Sequence, residues 1–395
     1  MRRFIRAHSP NLPPSESVDG ESIDAESVEV ESFDALAIDI AKHQVACRTG
    51  LDRLFERRGL DVRVIETASQ IPAVPTDVFK LRRVACHPRD LDKVVFLTSG
   101  TTVGSRGMHA LRDTETYRLA ARVWASTMLY PDMDIHPQVP QLAMHWVVLA
   151  PPYDENPSSS LGFMFDELSR ATRGGVTWAV TDGKLDLAKI ERALHHANSH
   201  SIPTIVAGAS FAFVHWLDAI QHQTYSLGPM GRAMQTGGFK GQSRTVDADQ
   251  LRADIALVLG INVDRVVSEY GMTELGSQAY EGRLRASLGH NAPNNTHRNA
   301  FVPPPWMRVV AVKEDTLEPV HEGQVGIARI EDLTNVDSAV VVQTADRIRQ
   351  CEHCEQCEGG FELLGRAEGA SPRGCSIGID EILQQNGFRN RTAAD

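Results

Sequence analysis

The sequence predicts an α/β fold followed by a smaller β-rich lobe, and three observations predict it. Helical and strand-like apolar patterns alternate through most of the chain. One strand pattern, Val94–Leu97, runs directly into a loop dense in Ser, Thr and Gly. After residue 300 the pattern changes to short β-type runs separated by polar turns. A chain of 395 residues can form two or three packed units around a sizeable core, and 42% hydrophobic with 23% charged residues is a soluble globular balance. The net charge of −11 argues against a general nucleic-acid binder. No apolar run approaches the roughly 18–20 residues that span a bilayer. The start lacks the apolar centre of a signal peptide, and six cysteines do not make a disulfide scaffold. The expectation is a cytoplasmic protein.

The elements follow in order. Residues 15–34 alternate acids with Ser and small residues and contain no base, a composition that repels itself and buries little, so residues 1–34 are expected to be a flexible acidic tail. Phe33, Leu36, Ile38, Ile40 and Val45 open a helix expected to run to about Arg58. Strands are expected at Val94–Thr98, His145–Ala150, Val176–Val180, Thr204–Ala207 and Arg265–Glu269. Helices are expected at Thr114–Leu129, Leu185–Ser199, Phe211–Gln221 and Asp247–Leu259. Beyond a linker at Asn294–Pro305, Met307–Val312, Val325–Ile330, Ala339–Gln343 and Phe361–Leu364 read as strands. The domains are therefore expected as 1–34 tail, 35–300 α/β core, 301–366 β-rich lobe and 367–395 C-terminal segment.

Thr98-Ser99-Gly100-Thr101-Thr102-Val103-Gly104-Ser105-Arg106-Gly107 combines many hydroxyls, three glycines and one guanidinium. Glycine lets the backbone approach closely, N–H groups and hydroxyls donate, and Arg106 adds charge, which together suit a polyphosphate. There is no G-x-x-x-x-G-K-[ST], so this is not a Walker loop. The stretch resembles the T-S-G-T-T-G-x-P-K-G phosphate loop of adenylate-forming enzymes, with Val103 for glycine, Ser105 for proline and Arg106 for lysine. Three further motifs occur in that superfamily's order. Gln235-Thr236-Gly237-Gly238 stands where its adenine-side glycine motif falls, and Glu269-Tyr270-Gly271-Met272-Thr273-Glu274 resembles its Y-G-x-T-E. Thr344-Ala345-Asp346 with Gly365-Arg366 resembles its T-G-D and G-R elements. The resemblance implies ATP over Thr98, Ser99, Gly100, Thr101, Thr102 and Gly104. It also implies Tyr270 and Gly271 beside adenine, Thr273 at the α-phosphate, Mg²⁺ on Glu274, and Asp346 and Arg366 near the ribose.

Only 29 residues follow Arg366. The superfamily's full mobile domain is expected to be replaced by a truncated segment, so an acceptor other than coenzyme A is needed. Cys375 is the candidate: Arg373 and a helix expected just after it both favour thiolate, a good nucleophile towards a mixed anhydride. Tyr270–Gln278, Pro304–Val309, Val325–Thr344 and Phe361–Ser376 are similar to the acyl-protein synthetases of the LuxE type, as are Ser158–Leu161 and Gly208–Phe211. The likeness implies ATP-dependent activation of a fatty acid, loading of the acyl group on Cys375, and delivery to an acyl reductase. Two alternatives stay open: an acyl- or aryl-CoA ligase of the phenylacetate–CoA ligase type, and a non-catalytic zinc-stabilised binding protein.

Cys351-x-x-Cys354-x-x-Cys357 could hold a structural Zn²⁺ with His290, His297 or His353 as fourth ligand. His109 after the phosphate loop could touch substrate or order the loop. His145 is expected in core packing, and His215 with Trp216 on a helix face.

Overall fold

Strands rich in buried apolar residues need partners on both edges, and nearly all of this chain's strands find them in one sheet. The computed structural model describes residues 1–8, 31–98, 106–133, 143–220, 223–237, 247–289, 299–351 and 359–367. The chain begins with helices α1 (Arg2–Ala7), α2 (Phe33–Ala46) and α3 (Leu51–Arg57). Strand β1 (Val74–Pro75) and the single turn α4 (Val78–Leu81) then lead to a hairpin of β2 (Val94–Leu97) and β3 (Met108–Leu111). Next come α5 (Glu115–Met128), β4 (Met144–Val148), α6 (Ser160–Thr172) and β5 (Arg173–Trp178), with a small pair β6 (Val180–Thr181) and β7 (Lys184–Leu185). Helix α7 (Leu187–Ser199), β8 (Thr204–Ala209), α8 (Ser210–Ile220), β9 (Arg232–Thr236), α9 (Ala248–Leu259) and β10 (Val266–Tyr270) continue the alternation. The chain then runs through β11 (Ala279–Glu281), α10 (Arg283–Ser287), β12 (Phe301–Val302), β13 (Met307–Val312), β14 (Val325–Asp332), β15 (Val341–Gln350) and β16 (Phe361–Arg366).

Among the described residues the large sheet has twelve strands, in the order β13-β14-β15-β16-β12-β11-β10-β9-β8-β4-β5, with β1 added in parallel to β15. From β5 to β10 every pairing is parallel, and from β10 to β13 every pairing is antiparallel. The segment after residue 300 is thus joined strand to strand with the α/β core, through Tyr280↔Val302 and Phe301↔Phe361. No helix among the described residues is long and apolar enough to cross a membrane.

Three expectations are corrected. The helix expected from Phe33 to about Arg58 is two, because Arg48 (φ 55°) and Gly50 (φ 107°) take left-handed backbone between them. The flexible tail does not include residues 1–8. Phe4 and Ile5 are buried, and Arg2 bonds Thr116 Oγ1 at 3.2 Å and pairs with Asp113; the acidic run that suggested a tail starts only at Glu16. Strand β9 and helix α6 had no expected counterpart. The sequence Arg-Ala-Met-Gln-Thr has little β-type signal, yet all five residues are buried, with Arg232 bonded to Asp132 at 2.8 Å.

Candidate active site

The site lies where β8, β9 and β10 end, at the change from parallel to antiparallel pairing, the kind of crevice that open α/β sheets offer to ligands. The β2–β3 hairpin brackets the Thr98–Gly107 run between its paired strands. Thr98 N–H donates to the Gly107 carbonyl at 2.9 Å and Gly107 N–H donates to Thr98 Oγ1 at 2.8 Å, closing the loop's neck. A Cβ on Gly107 would come within 3.0 Å of the Thr98 side chain, which is why glycine serves there. Arg106 is exposed beside this neck. Ser99, Gly100, Thr101, Thr102 and Gly104 lie outside the described residues.

Beyond the neck, residues from separate motifs meet. Tyr270 at the end of β10 donates its hydroxyl to Asp346 Oδ2 at 3.0 Å, and Arg366 Nη1 bonds Asp346 Oδ1 at 3.0 Å. Strands β15 and β16 place Asp346 and Arg366 in register opposite each other. All three are buried or nearly so, and burial together with Asp346 raises the Tyr270 hydroxyl well above its ordinary pKa. The structure thus brings together the adenine-side ring and the ribose-side carboxylate and guanidinium that the motifs suggest. Gly237 (φ 74°) follows β9, and its carbonyl accepts from Ser210 Oγ at 2.7 Å; Gly238 lies outside the described residues.

The loop after Tyr270 carries Thr273 and Glu274. Burial raises the Glu274 carboxyl to about 7, opposed by the charges of Lys80 and Arg366. Its backbone carbonyl accepts from Asn335 Nδ2 at 2.9 Å. A buried carboxyl beside the charges of Lys80, Arg366 and Asp346 fits a hard divalent cation such as Mg²⁺, whose charge would offset the desolvation. The loop is fixed by Asp332, which accepts from Gly276 and Ser277 N–H at 3.0 Å each and from Ser277 Oγ at 2.7 Å. His109 sits beneath. Its Nδ1 donates to the Thr273 carbonyl at 2.7 Å and its Nε2 accepts from Ser338 Oγ at 2.9 Å, while burial lowers it to about 4 and keeps it neutral. His109 therefore orders the loop.

Sequence reasoning missed Lys80 and Asp332. Lys80 lies between the neck and Glu274: its Cγ is 3.4 Å from where a Gly107 Cβ would be, and its charge acts on the Glu274 carboxyl. It sits on a single helical turn, α4, with no motif to mark it.

Beside Tyr270 a small recess of about 20 Å³, open on one side to solvent, is lined by Tyr117, Leu161, Met164, Glu269, Met272 and Gln278 among others. Thr236 donates to Glu269, whose carboxyl burial raises to about 7. Any side chain on Gly271 would strike Glu269 Oε1. Trp216 stacks on Tyr225 in the core and His145 bonds Gly174 and Thr177, so both do packing work; neither they nor His215 line this pocket. Cys351 is half-buried, its thiol pushed up to about 11 by burial and Glu362. Cys354, Cys357, His290, His297, His353 and Cys375 lie outside the described residues.

Comparison with known proteins adds the following. The family model "Acyl-protein synthetase, LuxE" matches residues 177–384. The long-chain-fatty-acid–luciferin-component ligase of Vibrio harveyi is 21% identical over 334 residues, covering 83% of this chain and 82% of that protein. Among solved structures, an open conformation of 2-hydroxyisobutyryl-CoA ligase in complex with 2-HIB-AMP and CoA aligns with TM-score 0.59 at 10% identity, over 93% of this chain and 84% of that one. The same ligase in its thioesterification state gives TM-score 0.61 at 11% identity, over 91% and 75%. These structural likenesses show that the chain shares the α/β fold of that ligase.

Proposed function

Because the chain belongs to the LuxE acyl-protein synthetase family, we propose that it activates a fatty carboxylic acid as its acyl-adenylate and then loads the acyl group on its own Cys375. As a member of that family, the chain is an ATP-dependent, AMP-forming ligase. One observation supports the proposed site above all. Tyr270, Glu274, Asp346 and Arg366, drawn from motifs far apart in sequence, converge on one cradle beside the neck of the Ser/Thr/Gly loop.

In this reading the loop donors and Arg106 hold the phosphates, with Lys80 alongside. Tyr270 flanks the base, and Asp346 with Arg366 meets the ribose. Glu274 holds Mg²⁺, which supplies charge neutralisation on the phosphates when bound. The acid's carboxylate oxygen attacks the α-phosphorus and pyrophosphate leaves, with the donors of Thr273 and the loop stabilising the developing charge. The acyl chain is proposed to enter beside Met164 and Met272, with the side chains there moving apart to admit it. In the second half, the thiolate of Cys375 attacks the acyl carbonyl, a carbon–sulfur bond forms, and AMP leaves with the electron pair of the broken anhydride bond. The family match extends to residue 384 and so takes in Cys375. The 367–395 segment is then the acyl carrier, and an acyl reductase is the proposed recipient.

The test is intact-mass analysis after incubation with ATP, Mg²⁺ and a panel of carboxylic acids. The expected product is protein heavier by one acyl group, released by neutral hydroxylamine and missing in Cys375→Ser, which still exchanges pyrophosphate into ATP. Unmodified protein together with full acyl-CoA synthesis by Cys375→Ser would assign the chain to the CoA ligases instead.

A further inference from the structure

From residues outside the active site, we infer that His43, Cys47 and Cys86 form a binding site for a thiophilic divalent cation of the zinc class. The nitrogen and sulfur atoms of these three residues all lie within 4.8 Å of one another, and among the described residues no other group of His, Cys, Asp and Glu converges in this way. His43 and Cys47 are one turn apart at the C-terminal end of α2, on the same face. Cys47 Sγ is 3.8 Å from His43 Nε2 and 3.9 Å from Nδ1. With zinc–sulfur and zinc–nitrogen bonds of about 2.3 and 2.0–2.1 Å, neighbouring ligand atoms of a tetrahedron stand about 3.5–3.8 Å apart, so this pair is already at ligand spacing.

Each ligand rests on backbone that other contacts hold. Gln44, within the same turn of α2, donates to the Asn335 and Val336 carbonyls at 2.7 and 3.1 Å and accepts from Val340 N–H at 3.1 Å. Cys86 donates its N–H to the Asp337 carbonyl at 2.7 Å. The segment carrying Cys86 is braced by Arg83, which bonds Asp92 and the His87 carbonyl, and by His87, which bonds Asp92 at 2.9 Å. His43 is exposed and the two thiols are half-buried, leaving the cation a path from solvent. One imidazole with two sulfurs is a soft donor set that selects zinc-class ions over Mg²⁺ or Ca²⁺. With three protein ligands, the fourth position falls to solvent.

The site would clamp α2 to the segment that leads into β2, and hence to the base of the phosphate loop. It is separate from the Cys351 cluster, and the test keeps the two apart. Full-length protein, loaded with Zn²⁺ and desalted, is assayed for metal as wild type, as Cys47→Ser/Cys86→Ser, and as Cys351→Ser/Cys354→Ser/Cys357→Ser. The expected result is one equivalent fewer in the double variant than in wild type, with that equivalent retained in the triple variant. With Co²⁺ in place of Zn²⁺, the sulfur-to-cobalt charge-transfer band survives in the triple variant and is lost when Cys47→Ser/Cys86→Ser is added to it, and His43→Ala in the triple-variant background weakens Co²⁺ binding at least tenfold. A measurement on wild type alone guards against misfolded variants: alkylation of Cys47 and Cys86 slows at least tenfold with Zn²⁺ and recovers with chelator. Equal metal content in wild type and double variant overturns the inference, as does alkylation indifferent to Zn²⁺. A Cys47–Cys86 disulfide in the freshly purified, zinc-loaded protein also overturns it.

Discussion

The parallel and antiparallel halves of the sheet solve different problems. In the parallel half, β4 and β8 bury Trp146, Val147, Val148, Ile205 and Val206 completely, and packing carries the stability. In the antiparallel half the strands bury more charge beside their apolar residues: Arg329 with Glu331, Asp332 under the Glu274 loop, and Asp346 between Tyr270 and Arg366, where the parallel strands β4 and β8 bury none. Buried charges are costly unless fully bonded; Arg329 also bonds the Ala68 and Ile71 carbonyls, whereas the partners of Asp332 and Asp346 belong to the proposed nucleotide site. Strands β4 and β8 serve packing alone, whereas the antiparallel strands also fix the residues of the proposed site.

Substitutions should separate these roles. Trp146→Ala, in the parallel half, is expected to lose about 3–5 kcal/mol of stability while the folded fraction keeps its KM for ATP; chemical unfolding beside steady-state kinetics reads both. Glu274→Gln should do the reverse, cutting pyrophosphate exchange by roughly 10²–10³-fold with melting temperature maintained or raised. A comparable loss of stability in Glu274→Gln would erase the distinction. Asp332→Ala should show both effects, because it strands the Gly276 and Ser277 donors: about 3 kcal/mol of stability together with a higher KM for Mg-ATP. Asp346→Asn should weaken nucleotide binding by roughly 10–100-fold, the worth of a charge-assisted hydrogen bond, as measured by titration calorimetry.

The smallest effect concerns pH. Burial raises the Glu269 carboxyl from 4.5 to about 7, so the folded protein holds a proton that the unfolded chain releases. Its stabilising share is complete below 4.5 and is lost as pH rises through about 7. Glu269→Gln, which can still accept from Thr236, should flatten the decline in stability between pH 5 and 8 by on the order of 1 kcal/mol. An unchanged slope in melting temperature against pH would place that titration elsewhere.

The sequence disclosed what is written contiguously. The Thr98–Gly107 run, the Tyr270–Glu274 motif and the Asp346 and Arg366 elements of the proposed site each stand in a short contiguous run that can be matched to a family pattern. The alternation of apolar runs gave the α/β class. What stayed hidden depends on contacts between distant residues. His109 is a bridge only because Thr273 and Ser338 close over it. Asp332 reads as the end of a strand until the 271–278 loop folds onto it, and Lys80 is one residue of a single turn. Strand β9 escaped notice because Arg232 is buried through Asp132 rather than through its own apolarity. The break at Arg48 and Gly50 lies in backbone angles that apolar periodicity does not report.

The paired bonds between Thr98 and Gly107 have a thermodynamic consequence for whatever enters the cleft. Bringing two ends of a chain segment together costs entropy, and here that cost is met when the hairpin zips, well before any ligand arrives. In the proposed site, a triphosphate meets a run already pinned at Thr98 and Gly107, and less of its interaction energy is spent gathering that run around it.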